Sequence, residues 1–208
     1  MGDRLEEMSE VEFDILKEIS NIGTGNAATA ISKMLTGRVD IEVPVIKFLK
    51  FDEISDVIGG AENEVIGILV SLEKDIDGIM MFVLDRKSAA VVINGILKGF
   101  EDEKPTLGAE LSEMESSAIL EFGNIITGSY LSAIAKLTGL VISSSVPALS
   151  DDMAGAILSV PAIEFGKISD KVLLIQSVFS SEGNQAEGFF ILVPTPKACD
   201  TILSKLKF

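Results

Sequence analysis

Residues 14–25 read DILKEISNIGTG, and residues 117–128 read SAILEFGNIITG. Glu18 returns as Glu121, an offset of 103 residues (121 − 18 = 103). The same offset preserves an Asn and a more distant Pro, so the matched pairs are Glu18 and Glu121, Asn21 and Asn124, and Pro44 and Pro147. Chance does not readily keep three such pairs at one offset. The sequence therefore predicts a chain built from two related halves.

The composition indicates an acidic protein with enough apolar residues for a core. The chain has 208 residues, of which 47% are hydrophobic, so it can form one domain or two closely joined halves. Its net charge of −15 repels nucleic-acid phosphates and anionic lipid headgroups, so we expect neither kind of partner. The chain has no His, which excludes a Ser-His-Asp triad and a His-based zinc site. A hydrolytic site would have to use carboxylates, amides, hydroxyls or groups of a partner.

The remaining composition predicts a cytoplasmic protein. The single Cys199 cannot form an internal disulfide and fits a reducing compartment. Residues 1–7 are rich in charge and contain no apolar signal core. The longest apolar runs, such as Ile79–Leu84, have the length of a strand rather than of a membrane span. We therefore expect no membrane insertion.

Each half is predicted to contain a helix, a helix, a strand, a helix, two strands and a helix. Capping boxes at Ser9–Glu12 and Ser112–Glu115 mark the starts of the first helices. The steps Gly23-Thr24-Gly25 and Thr127-Gly128 are predicted to kink or break these helices, so that second helices follow over 26–35 and 129–137. The other predicted elements are strands 39–44 and 140–147, each ending at its Pro, helix 51–58, hairpin strands 64–72 with 78–84 and 171–179 with 188–193, and closing helices 86–97 and 196–206.

These elements predict an α+β fold. Consecutive strands favour antiparallel pairing, so the duplicated halves should share an antiparallel sheet flanked by helices. We predict a single domain, 1–208, made of repeats over about 9–98 and 112–206 that are joined by a polar linker, 99–111. Residues 151–166 are interpreted as a helix followed by irregular chain, with Pro161 as the breaker.

A polar stripe accompanies the repeated motif. Asp14, Glu18 and Asn21 stand at i, i+4 and i+7, so their side chains follow one face of a helix, about 100° from its apolar face. Ser117, Glu121 and Asn124 repeat the stripe in the second half. A single polar stripe is most simply a solvated surface. Two surfaces that keep the same Glu and Asn while their neighbours change favour a functional site.

The chemistry of Glu and Asn favours positioning over proton transfer. A carboxamide both donates and accepts hydrogen bonds, so it can hold a water in line with an electrophile. A nearby carboxylate can pair with a cation of a partner. No tuned base or metal accompanies them, so the site suits a bond that is already activated. The Gln that orients water in GTPases has an analogous role.

Two other patterns are given structural interpretations. Residues 23–28 match GxGxxA, but a helix rather than a strand is predicted before them, which argues against a dinucleotide site. The acidic pairs at 75/77 and 151/152 are interpreted as hairpin-turn and helix-cap residues rather than as a cation site. We therefore predict no metal site on this chain.

The doubled pattern resembles that of the CheC/CheX/FliY family of bacterial chemotaxis phosphatases. The family pattern is Asp or Ser, three residues, Glu, two residues, Asn, twenty-two residues and Pro. It fits here twice, as Asp14, Glu18, Asn21 and Pro44, and as Ser117, Glu121, Asn124 and Pro147. Ser20 departs from the Gly that is common before the Asn, as at Gly123. Two motifs in a chain of this length are typical of the CheC-type members.

The resemblance implies dephosphorylation of the phospho-aspartate of a CheY-type response regulator. It implies that Asn21 and Asn124 place the attacking water and that Glu18 and Glu121 pair with the regulator's Lys. Asp14, Ser117, Pro44 and Pro147 are expected to support the motif. No cofactor is expected on this chain, whereas Mg²⁺ is expected in the partner regulator. The receptor deamidase CheD is a further expected partner, with this chain acting as a monomer or as a heterodimer with CheD.

Two alternatives to an enzyme remain open at this point. The chain could be a non-catalytic adaptor that binds CheD or the flagellar switch, with a motif that only docks the regulator. It could also be a structural duplication without activity.

Overall fold

Both motif segments lie in long helices that pack on one face of a shared sheet. The computed structural model describes residues 9–35, 39–98, 107–108, 110–165, 171–181 and 183–205. In chain order the elements are α1 (Glu10–Met34), β1 (Asp40–Lys50), α2 (Phe51–Val57), β2 (Glu64–Lys74), β3 (Gly78–Asp85), α3 (Arg86–Leu97), α4 (Glu113–Thr138), β4 (Ile142–Ser144), β5 (Ala148–Met153), α5 (Ala154–Phe165), β6 (Lys171–Ser181), β7 (Asn184–Pro194) and α6 (Pro196–Lys205).

The predicted break in the motif helices is wrong. Helix α1 runs without interruption for 25 residues and α4 for 26 residues. Glycine costs about 1 kcal/mol relative to Ala inside a helix, but packing against the rest of the fold can outweigh that cost. A Cβ at Gly23 would lie 2.9 Å from Cδ1 and 3.2 Å from Cα of Tyr130 on α4. This Gly therefore serves close helix–helix approach rather than a kink.

The ends of α4 follow the predicted signals. The Ser112 hydroxyl accepts a hydrogen bond from the Glu115 N–H at 3.3 Å, and the Glu115 carboxylate accepts one from the Ser112 N–H at 2.7 Å. The helix ends at Gly139, whose φ of 71° lies in the left-handed region that Gly tolerates. In the first half, the side chain of Glu12 and residues 36–37 lie outside the described residues. The capping box at Ser9–Glu12 and the helix end at Thr36–Gly37 therefore stay predictions.

The two halves exchange their outer strands. The sheet has seven antiparallel strands in the order β1-β6-β7-β3-β2-β4, and β5 also pairs with β2. Strand β1 of the first half thus pairs with β6 of the second half, and β4 and β5 of the second half pair with β2 of the first. The hairpin strands meet at β3 and β7, where Met81 lies opposite Ile191.

Hydrophobic residues cover both faces of the sheet. In β3, Met80, Phe82 and Leu84 join the larger core, which lies under α1, α3, α4 and α6. The alternate residues Met81 and Val83 face the opposite way into a second core under α2 and α5. The motif helices therefore sit on the thicker side of a three-layered body, as the α+β prediction requires, and that prediction is confirmed.

The motif prolines interrupt strand pairing in both halves. Strand β1 continues to Lys50 instead of ending at Pro44, and its register against β6 shifts between Glu42 and Val45. Pro147 lies in the gap between β4 and β5. Proline has no N–H to donate, so it is tolerated at a bulge or a break in an outer strand. The prediction that Pro44 ends its strand is therefore wrong. The strand predicted over 140–147 forms only as β4, Ile142–Ser144, and Pro147 lies three residues beyond its end.

Residues 151–166 also differ from their prediction. Asp151 lies in β5 instead of capping a helix, and both of its carboxylate oxygens lie 2.5 Å from Nη1 of Arg86 at the start of α3. Pro161 lies inside α5 rather than ending it. Ala154, Ile157 and Leu158 of α5 are buried in the second core, and this burial outweighs the loss of one helical hydrogen bond at the Pro.

The other elements agree with their predicted ranges, except that β7 begins at Asn184 rather than at the predicted residue 188. Helices α2 and α3 and both hairpins form as expected, and the β2–β3 turn uses residues 75–77. Helix α6 is described to Lys205, one residue short of the predicted end. The predicted linker, 99–111, lies outside the described residues except at 107–108 and 110–111, and Glu182 of the second hairpin turn is also outside them.

Candidate functional site

The predicted polar stripe of α1 faces solvent. Asp14, Glu18 and Asn21 are all exposed, whereas Ile19 and Ser20 between them are buried. The hydroxyl of the buried Ser20 donates a hydrogen bond to the Leu16 carbonyl at 2.9 Å. The buried residues hold the helix on the core, so Glu18 and Asn21 project outward from a fixed support.

The second stripe repeats this arrangement on α4. Ser117, Glu121 and Asn124 are exposed. Between them, Ile119 and Phe122 are 0% and 1% exposed and pack in the larger core. The Phe122 ring contacts the rings of Phe82 and Phe179 at centroid distances of 5.9 and 5.5 Å. The helix that presents Glu121 and Asn124 is therefore firmly anchored.

The side chains of the two motif Asn residues have no partner in the part of the chain that the structure describes. Among the described residues, no hydrogen bond or ion pair engages the side chains of Glu18, Asn21, Glu121 or Asn124. A free carboxamide beside a free carboxylate can therefore turn toward a docked molecule without first breaking an internal bond. In this respect the two sites are alike.

The surroundings of the two sites differ. On α1, Lys17 Nζ lies 3.3 Å from the Asp14 carboxylate and 4.8 Å from the ring centre of Phe13. On α4 the equivalent of Lys17 is Leu120, and the equivalent of Asp14 is the uncharged Ser117. The first site is thus flanked by an exposed ion pair, and the second has no charge at these positions.

The motif prolines stand at equivalent places beside the two helices. Pro44 lies in β1, which packs against α1, and Pro147 lies just after β4, which packs against α4. Both mark irregular pairing in outer strands rather than a reactive group. The structure therefore places Pro44 and Pro147 near the motif helices. That these two residues support the motif stays a prediction.

Two further pairs of residues lie on the stripes, Val11 with Met114 and Gly25 with Gly128, and the sequence analysis assigned them no functional role. Val11 and Met114 begin the stripes, and they are 69% and 51% exposed. Gly25 and Gly128 follow one turn after the Asn residues and are exposed. The members of each pair are separated by the same 103 residues as the motif residues, and this repeat is the sequence signal that could have identified them. Each stripe is thus longer than the family motif.

The described residues contain no cluster of three or more Asp, Glu or Cys side chains that could hold a metal ion. Among the described helices, only α4 is long and apolar enough to span a membrane, and 61% of its apolar window is buried inside the protein. A buried core helix meets the same criterion, and α4 lies in the larger core.

Comparison with known proteins identifies the family. The model of the CheC-like family matches residues 11–48 and 114–150, which contain both motifs from Asp14 to Pro44 and from Ser117 to Pro147. The CheY-P phosphatase CheC of Bacillus subtilis is 36% identical over 180 residues, covering 86% of this chain and 85% of that protein. The flagellar motor switch phosphatase FliY of B. subtilis is 28% identical over 69% of this chain and 36% of its own length.

Solved structures share the fold. FliY of Thermotoga maritima superposes with a TM-score of 0.75 at 22% identity, covering 96% of this chain and 98% of that chain. The middle domain of FliM from H. pylori superposes with a TM-score of 0.68 at 10% identity, covering 95% of this chain and 99% of that domain. At these identities the superpositions establish the architecture alone. The family follows from the sequence matches, which show that this chain belongs to the CheC-like family.

Proposed function

We propose that this chain is a phosphatase that hydrolyses the phospho-aspartate of a CheY-type response regulator. The observation that carries the proposal is the pair of exposed Glu and Asn side chains at equivalent places on α1 and α4, which have no partner among the described residues. The proposal is supported by the relatives, since a chain 36% identical to this one bears the name CheY-P phosphatase CheC.

In the proposed reaction, Asn21 or Asn124 enters the regulator's active site and positions water. The carboxamide oxygen accepts a hydrogen bond from the water, and the carboxamide N–H can donate to a phosphoryl oxygen. The water oxygen forms a bond to phosphorus as the bond between phosphorus and the aspartyl oxygen breaks. The products are the free aspartate carboxylate and inorganic phosphate, with the water's protons passing to phosphate or solvent.

Positioning alone is sufficient for this step because an acyl phosphate is already activated. A hundredfold acceleration requires about 2.7 kcal/mol of transition-state stabilisation. A group that holds the nucleophile in line can supply that amount. This is consistent with a chain that has no His for proton transfer.

Glu18 and Glu121 are proposed to pair with the regulator's active-site Lys. Each Glu precedes its Asn by three residues, so both side chains lie on the same helical face within reach of one docked molecule. Docking excludes water from the pair, and the lower dielectric strengthens the attraction while it orients the partner. Asp14 and Ser117, one turn earlier, lie at the edge of the same contact.

The proposal places the other chemical components on the partner. Mg²⁺ belongs to the regulator and neutralises phosphoryl oxygens there, so this chain is expected to act without a bound cofactor. We also propose that the protein is cytoplasmic and that it binds CheD. On this proposal the chain exists as a monomer or as a heterodimer with CheD.

A decay assay tests the function directly. Phosphorylated regulator is mixed with wild-type protein, Asn21→Ala, Asn124→Ala and the double variant, and loss of the phosphoryl group is followed. We expect the wild type to accelerate decay and the double variant to lose the acceleration while still binding the regulator. Each single variant reports the activity of the remaining site.

The alternatives give different results in the same assay. A non-catalytic adaptor for CheD or the flagellar switch binds its partner but leaves the decay rate unchanged even in the wild type. A structural duplication neither binds the regulator nor accelerates decay. Full activity in the double variant would show that another part of the chain carries the reaction.

A further inference from the structure

Neither packing nor backbone conformation among the described residues requires glycine at Gly25 or Gly128. Each lies in the middle of an unbroken helix and is exposed. A Cβ built on either residue meets no atom of the described residues within 4 Å, and neither glycine has a positive φ that would require Gly. Because Gly in a helix costs about 1 kcal/mol relative to Ala, internal stability would favour Ala at both positions.

Other glycines of the same helices have clear internal reasons. A Cβ at Gly23 would lie 2.9 Å from the Tyr130 ring, and a Cβ at Gly123 would lie 2.3 Å from Cδ1 of Ile68. These two glycines are not repeated at the offset of the motif, since Gly23 matches Ile126 and Gly123 matches Ser20. Packing thus explains the glycines that differ between the halves, but it does not explain the pair that recurs.

The recurring glycines are placed next to the proposed water-positioning groups. Gly25 follows Asn21 by four residues and Gly128 follows Asn124 by four, so each lies one turn further along the exposed stripe. Side chains four apart on a helix have Cβ atoms about 5–6 Å from each other. Any side chain at Gly25 or Gly128 would therefore stand beside the carboxamide, on the surface that a docked molecule must cover.

We infer that Gly25 and Gly128 are positioning residues that keep this turn flat, so that a phosphorylated receiver domain can approach closely enough for the Asn to reach its acyl phosphate. The inference rests on the proposed function. A methyl group at either position would hold the partner's backbone away from the helix. The Asn would then stop short of the reacting centre, where a misplacement of about 1 Å can reduce the rate about a hundredfold.

The test isolates one site at a time. Gly25→Ala and Gly25→Leu are made in the Asn124→Ala background, and Gly128→Ala and Gly128→Leu are made in the Asn21→Ala background. Decay of phosphorylated regulator is measured against regulator concentration, together with binding to regulator carrying beryllium fluoride and the Tm of the free protein. Gly95→Ala on α3 is the matched control, because its Cβ would meet only the end of the Leu35 side chain at 3.4 Å.

We expect stability and activity to change in opposite directions. The Ala variants should raise Tm by about 2–4 °C, since helix propensity improves and nothing is displaced. They should also lower kcat/KM about tenfold or more, with a larger loss for Leu and weaker binding to the beryllium fluoride form. Gly95→Ala should leave activity unchanged.

Two results would overturn the inference. Unchanged kcat/KM in the Gly25→Ala and Gly128→Ala variants would show that the flat turn is not needed. Loss of activity together with a lowered Tm would show that these glycines serve internal packing after all. If the Asn21→Ala and Asn124→Ala double variant keeps full activity, the proposed function itself fails, and this result is separate from the Gly comparison.

Discussion

The hydroxyl of Tyr130 lies 3.0 Å from the hydroxyl of Thr24, and this hydrogen bond joins the two motif helices inside the core. Thr24 is one turn from Asn21, and Tyr130 is two turns from Asn124. The Tyr130 ring also stacks on Phe190 of β7, with ring centres 4.3 Å apart. One side chain therefore ties α4 both to α1 and to the central strands of the sheet.

Removing one partner of this hydrogen bond should destabilise the protein. We expect Tyr130→Phe to lower the free energy of unfolding by about 1–2 kcal/mol, because the buried Thr24 hydroxyl loses its partner while the ring stacking is kept. The double variant Tyr130→Phe with Thr24→Val should recover part of the loss, since the Thr24 hydroxyl is then no longer left without its partner. Urea unfolding of the four proteins measures the coupling. Additive effects of the two changes would contradict a direct interaction.

The same residue should make stability fall at high pH. Burial raises the pKa of Tyr130 above its ordinary value of 10.0, although hydrogen bonds with Thr24 and Ser177 oppose the shift. Above pH 10 the unfolded chain releases the phenolic proton while the folded chain retains it, so stability is lost as pH rises toward the folded pKa.

Two measurements check this pH dependence. Tyr130 is the only Tyr and the chain has no Trp, so absorbance of tyrosinate reports its ionisation directly in the folded protein. The stability advantage of wild type over Tyr130→Phe should also shrink between pH 9 and pH 11. A folded-state titration at or below pH 10, or a constant difference between the two proteins, would contradict the expected burial effect.

A methyl group at Gly123 should be poorly tolerated, although the first half has Ser20 at the matching position. A Cβ there would lie 2.3 Å from Cδ1 and 3.0 Å from Cγ2 of the buried Ile68. We expect Gly123→Ala to reduce the free energy of unfolding by about 1–2 kcal/mol after the gain in helix propensity. The Ile68→Val background removes Cδ1 and should reduce this penalty. Equal penalties in both backgrounds would place the strain elsewhere.

Removing the motif carboxylates should weaken regulator binding without affecting the fold. We expect Glu18→Gln with Glu121→Gln to raise KM for phosphorylated regulator about tenfold and to make binding less sensitive to salt, because each Glu faces solvent and pairs only in the complex. Titrations at several salt concentrations measure both effects, and Tm should stay constant. Glu62→Gln removes one charge from an exposed turn and is the control for each single Glu→Gln substitution. An equal effect of Glu62→Gln would indicate general charge attraction instead.

Much of this protein can be predicted from local patterns. The repeated Glu, Asn and Pro, the capping box at Ser112 and the alternation of apolar residues indicate two related α+β halves with an exposed polar stripe. Those features depend on residues close together in the chain, where side-chain spacing and backbone geometry determine the outcome. The solvent exposure of Asn21 and Asn124 follows from the same spacing.

Long-range contacts decided the remaining features. Whether Gly23 breaks α1 depends on Tyr130, which approaches it from another helix, and no local rule includes that contact. Pro161 stays inside α5 because the helix buries apolar residues against the far side of the sheet. The exchange of outer strands, which brings β1 onto β6 and β4 and β5 onto β2, reflects pairing between residues at least 68 positions apart. Such contacts are specified only when the folded chain brings distant side chains together, because their packing energy depends on three-dimensional fit rather than on spacing along the sequence.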